Sequence, residues 1–72
     1  MNERRIKTQI MLYFKFFGAL LHNIDIGVDN SCPTAYITPT GKLRYNEKFM
    51  DSLTEKEQIF IICHEILHAA FG

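Results

Sequence analysis

The chain has no excess charge of either sign: among its 72 residues, eight Lys and Arg balance eight Asp and Glu. Without a basic excess, little counterion release is available to drive binding to a phosphate backbone, and Arg4, Arg5 and Lys7 form only a local patch. A nucleic-acid partner is therefore not expected. Cysteine is scarce: Cys32 and Cys63 alone cannot build a disulfide framework, which suits a reducing, cytoplasmic setting. A long apolar run is also missing. The stretch from Ile10 to Leu21 is interrupted by Lys15, is too short to span a bilayer, and is not followed by a clean small-x-small cleavage site. Neither a membrane span nor a secretory signal is expected. Asp25, Asp29 and Asn30 lack the spacing of an EF-hand loop and read as turn formers. Length itself is short. Seventy-two residues leave room for one small domain, which buries only about 60% of its extended-chain surface, so a metal, a partner or a further segment is expected to help stabilise it.

What is present points to a folded α+β domain. Hydrophobic residues make up 47% of the chain, with six Phe and three Tyr, above what a disordered segment carries. Ile6, Ile10, Phe14, Phe17, Leu21 and Ile24 recur at three- or four-residue steps, which predicts an amphipathic helix over residues 3–23. His22 falls in its last turn. Residues Asn23 to Pro33 are rich in Asp, Asn, Gly and Ser and read as loop. Ala35 to Thr38 and Lys42 to Tyr45 are short alternating segments separated by Pro39-Thr40-Gly41, the pattern of a β-hairpin. Asn46 to Leu53 should form a turn or a short helix. Thr54-Glu55-Lys56-Glu57 is a capping box, so a final helix should start at Glu55. From Ile59 to Phe71 apolar residues surround it on nearly every side, which predicts a central, buried helix.

That last helix carries the chemistry, the HExxH sequence His64-Glu65-Ile66-Leu67-His68. At about 100° per residue the two histidines lie roughly 40° apart on one face, close enough for both imidazoles to share one ion. Zinc is the metal that this pattern favours. Glu65 falls on the flank, where a carboxylate reaches a water beside the metal without taking a coordination position, as a general base must. In a buried helix, two imidazoles and a carboxylate without partners would cost several kcal/mol, and a cation removes that penalty. Cys63 reads as packing.

Taken with Thr34-Ala35, Thr40-Gly41, Tyr45-Asn46, Phe49, Leu53 and Glu57, the HExxH helix resembles the zincin-like metallopeptidase domain that precedes a von Willebrand A-like domain in bacterial and phage proteins. The resemblance spans most of the chain; only HExxH is specific. It implies zinc-dependent hydrolysis of a peptide or protein substrate, with His64 and His68 as metal ligands and Glu65 as general base. It also implies that an exposed strand near the motif helix aligns the substrate. Members usually carry a further His shortly after the second motif His, so the domain is expected to be incomplete at Gly72. A catalytic zinc takes three protein ligands. If the third lies upstream, His22, Asp25, Asp29, Cys32, Glu47 and Asp51 are the candidates, and their spacing selects none. Tyr36 and Tyr45 are candidates for oxyanion stabilisation, with packing the plainer role for both. The competing expectation is a non-catalytic, metal-stabilised interaction module that docks a partner chain or self-associates.

Overall fold

A computed structural model describes residues 1–72. It is α+β, with helices α1 (Glu3–Tyr13), α2 (Lys15–Leu21), α3 (Glu47–Asp51) and α4 (Glu55–Phe71) and strands β1 (Asp25–Val28), β2 (Ala35–Ile37) and β3 (Lys42–Tyr45). The helices pack on one face of the sheet. No helix is long and apolar enough to cross a membrane.

The expected helix over residues 3–23 is in fact two helices, broken at Phe14, whose backbone leaves the helical region at φ −135° and ψ 73°. A straight helix of that length would run about 30 Å, longer than the largest dimension of the domain, 28 Å. The break lets Leu21 of α2 reach the same core as Ile6 and Ile10 of α1. It brings the two helices so close that a Cβ on Gly18 would sit 3.1 Å from the Met11 Cα. Glycine is what fits there.

Asn23 to Pro33 is not all loop. Ile24, Ile26 and Val28 alternate with Asp25 and Gly27, and β1 pairs in parallel with β3, Ile26 opposite Leu43 and Val28 opposite Tyr45. The predicted hairpin is present, with β2 antiparallel to β3, but the sheet is three-stranded in the order β1-β3-β2. A parallel pair needs a crossover of about a dozen residues. The loop after β1 together with β2 supplies it. Asp29 secures that loop: its carboxylate accepts from the Ser31 amide and the Tyr36 hydroxyl, and its carbonyl accepts from the Cys32 thiol. The Ser31 hydroxyl donates to the same carboxylate; the bonds from Ser31 and Tyr36 hold the Asp29 carboxyl below its ordinary range, and Asp29 in turn pushes the Tyr36 phenol up. Asn46 ties the far end, donating to the Cys32 carbonyl and capping α3 through the Phe49 amide. The Asp- and Asn-rich segment is thus built of turn formers.

Gly41 closes the β2–β3 turn at φ +86°, with the Asn23 carbonyl oxygen 2.9 Å from where a Cβ would stand. The core is small and centred on β3: Leu43 and Tyr45 meet Ile6, Ile10, Leu21, Met50, Ile62 and Ile66. The capping box at Thr54 and Glu57 forms, and α4 starts at Glu55.

The expected burial of α4 is not observed. One face, through Gln58, Ile62 and Ile66, enters the core, whereas Phe60 is 66% and Phe71 70% exposed. So few residues supply only α1, α2, the short α3 and one sheet face to cover a helix that is apolar around most of its circumference.

Two outcomes test this architecture. Gly41→Ala should lower stability by about 1–3 kcal/mol, measured by thermal or urea unfolding, because alanine at that φ is strained and meets the Asn23 carbonyl. Burial, and secondarily the carboxylate of Glu3, push the Tyr45 phenol up to about 12. The unfolded chain releases that proton near 10 and the folded chain later. Stability from this group is complete below the unfolded value, and an unfolding series should show it declining as pH rises from about 10 to 12.

Candidate metal centre

The motif helix places its two histidines as the spacing requires. His64 Nε2 and His68 Nε2 stand 3.0 Å apart, with ring planes crossed at 87°. Two nitrogens each about 2.0–2.1 Å from one tetrahedral ion lie roughly 3.3–3.4 Å apart. The imidazoles therefore converge to within a few tenths of an ångström of a chelating geometry. Two neutral imidazoles are also a donor set that zinc accepts. His68 lies in the last turn of the helix, and the Gly72 amide donates to its carbonyl.

The pair is exposed, which overturns the desolvation argument for a metal. On α4, His64 and His68 stand about 200° from Ile62 and Ile66, the residues that enter the core. The packing that seats the helix turns the pair toward solvent. Phe60 stacks on His64 at 5.9 Å between centroids. Phe71 stacks on Phe16 of α2 at 6.1 Å.

Glu65 is half-buried on the flank of the same turn. One turn further on, Ala69 shares with His68 a cleft of about 240 Å³ whose other wall is Ile37, Thr38 and Pro39. Glu65 is thus on the side of α4 that turns toward the end of β2. β2 is an edge strand that pairs only with β3. Motif and sheet edge therefore border one cleft, which could not be read from residues thirty positions apart in sequence.

No group of three His, Cys, Asp or Glu side chains is positioned to hold one ion. The upstream candidates have other engagements. Asp25 pairs with Arg44 at 3.1 Å, Asp51 with the Met1 ammonium, and Glu47 accepts from Asn30 at 3.0 Å. Asp29 and Cys32 belong to the β1–β2 loop, and His22 caps α2. None joins His64 and His68. Neither tyrosine reaches the pair: Tyr45 is packed in the core, and the Tyr36 hydroxyl donates to Asp29. Cys63 packs against the core, where burial pushes its thiol up, as expected of a packing residue.

A family model described as "putative metallopeptidase domain" matches residues 3–71. The chain belongs to that family. No curated protein matches it, and no solved structure does. On α4 the converging imidazoles lie on the solvent side of the fold, and the Glu65 carboxylate lies half-buried beside them. The aromatic residues beside them, Phe60 and Phe71, carried no motif in the sequence. Their sequence signal was the apolar excess of α4, read there as burial.

Zinc should bind the wild-type chain at one equivalent. Isothermal titration of His64→Ala and of His68→Ala should each show binding weakened at least roughly tenfold. Wild-type affinity retained in both variants would place the metal elsewhere.

Proposed function

We propose that this metallopeptidase domain is zinc-dependent, with His64 and His68 binding the ion and Glu65 acting as general base in peptide-bond hydrolysis. The observation that carries the reading is the 3.0 Å convergence of the two Nε2 atoms on a helix whose next residue after His64 is a half-buried glutamate. When bound, zinc supplies Lewis acidity toward the scissile carbonyl and toward water. Every other element comes from the chain.

The two imidazoles would hold the ion, their backbone fixed by the capping box at Thr54 and by Ile62 and Ile66 in the core. Glu65, on the flank, takes a proton from the attacking water and passes it to the leaving amine. The β2 edge borders the same cleft through Ile37, Thr38 and Pro39. An extended peptide laid along that edge would be aligned by backbone hydrogen bonds and carried past the motif. A further ligand to the ion would come from outside the His64–His68 turn, from a chain segment or partner that covers this exposed face. The setting proposed is cytoplasmic, consistent with two unpaired cysteines.

Glu65→Gln separates chemistry from binding. It should abolish hydrolysis of a casein or peptide substrate by the zinc-loaded protein while zinc affinity by titration changes little. Hydrolysis retained in this variant would overturn the assignment.

A further inference from the structure

We propose that the groove between α3 and α4 is the site that receives a large apolar side chain of the substrate, so that the domain acts on peptides carrying a Phe- or Leu-like residue about two positions from the cleaved bond. This rests on the metallopeptidase reading above and names its substrate class.

The groove, about 380 Å³, is lined by Phe49, Leu53, Lys56, Glu57, Phe60 and Ile61. Its position relative to the motif follows from the helix. Glu57, Ile61, His64 and His68 are spaced at steps of four, three and four residues, so they form one stripe along α4, with Phe60 beside it. The groove and the histidine pair thus open on the same side of the domain. They also share a wall: the Phe60 ring that borders the groove stacks on His64 at 5.9 Å. Of the other clefts that border α4, the one of about 240 Å³ meets the stripe only at His68 and is otherwise walled by Ala69 and by Ile37, Thr38 and Pro39. The one of about 300 Å³ through Ile66, Ala69 and Ala70 is on the core side of the helix, turned away from the pair.

Distance sets which substrate residue arrives. From Ile61 to the midpoint of His64 and His68 is five residues, about 7.5 Å along the helix axis. An extended peptide advances about 3.3 Å per residue, so the groove is about two residues from the reacting carbonyl. Composition sets what it accepts. Phe49, Leu53 and Ile61 are half-buried and pack on the core, so the floor is fixed and apolar. The Glu57 carboxylate is held by the Thr54 amide at 2.9 Å and lies at the rim. Lys56 and Glu57 also line the groove, but its apolar floor offers no polar group, so a charged side chain reaching the floor would lose water there, whereas a phenyl or isobutyl group would exchange water for the Phe49, Leu53 and Phe60 side chains.

The test uses the zinc-loaded chain with a short alanine–glycine peptide and the same peptide carrying one phenylalanine at each position in turn. At the favoured position the phenylalanine peptide should be cleaved with a kcat/KM at least about tenfold higher. In Leu53→Lys that ratio should collapse toward one. Should this variant fail to fold, Phe60→Ala, altering a side chain 66% exposed, gives the same comparison. In parallel, the methyl resonances of Leu53 and Ile61 in zinc-loaded Glu65→Gln should shift with the phenylalanine peptide and stay still with the other. Equal cleavage of both peptides, an unchanged ratio in the variants, or silent methyl groups would overturn the proposal. If the wild type hydrolyses neither peptide, the metallopeptidase reading falls, and the methyl shifts alone decide whether the groove binds apolar side chains.

Discussion

Everything at the candidate site depends on the seating of Ile62 and Ile66 in the core. These two side chains, one turn apart, are fully buried and leave α4 no freedom to rotate about its axis. Because the helix turns about 100° per residue, fixing them toward the core fixes His64 and His68 in the opposite direction. The histidine pair is outward-facing for the same reason that the helix is anchored. Its convergence costs the fold little, since neither imidazole is buried and no buried polar side chain is left without a hydrogen-bond partner.

The surrounding elements serve this one helix. The capping box at Thr54 and Glu57 sets its first turn, and bonding to Thr54 holds the Glu57 carboxyl below its ordinary range. Arg5 of α1 holds Glu55 at 2.6 Å in that turn. Such an exposed pair contributes little stability by itself and acts with the core contacts of Ile6 and Ile10. Gln58, also buried, donates to the Met50 carbonyl at 2.8 Å and fastens α4 to α3. This last bond fixes the spacing of the groove walls, since Phe49 and Leu53 flank Met50 in sequence. The core and the groove are thus two sides of a single helix–helix contact.

Exposure is the other constraint. Phe16, Phe60 and Phe71 lie on the surface beside the histidines because a chain of this size has too few elements to enclose α4. An apolar surface around the histidine pair would lower the local dielectric if another chain covered it, and would strengthen every charge interaction there.

Local rules determined much of this protein without its coordinates. The capping box placed the start of α4 at Glu55; Pro39-Thr40-Gly41 placed the hairpin; and the spacing of His64 and His68 placed two imidazoles on one face. Each depends on interactions within a few residues, where backbone geometry alone decides. Tertiary structure decided the rest. The alternation of Ile24, Ile26 and Val28 was masked by Asp, Asn and Gly neighbours, and β1 exists because β3 offers it a parallel partner seventeen residues on. The break at Phe14 follows from the need of Leu21 to reach a core shared with Ile6, which no periodicity records. The burial of α4 was overestimated because apolar composition states how much surface a helix could bury, while the number of elements around it states how much it does. Whether HExxH faces the core or the solvent is therefore a property of the packing of Ile62 and Ile66, and only the assembled fold supplies it.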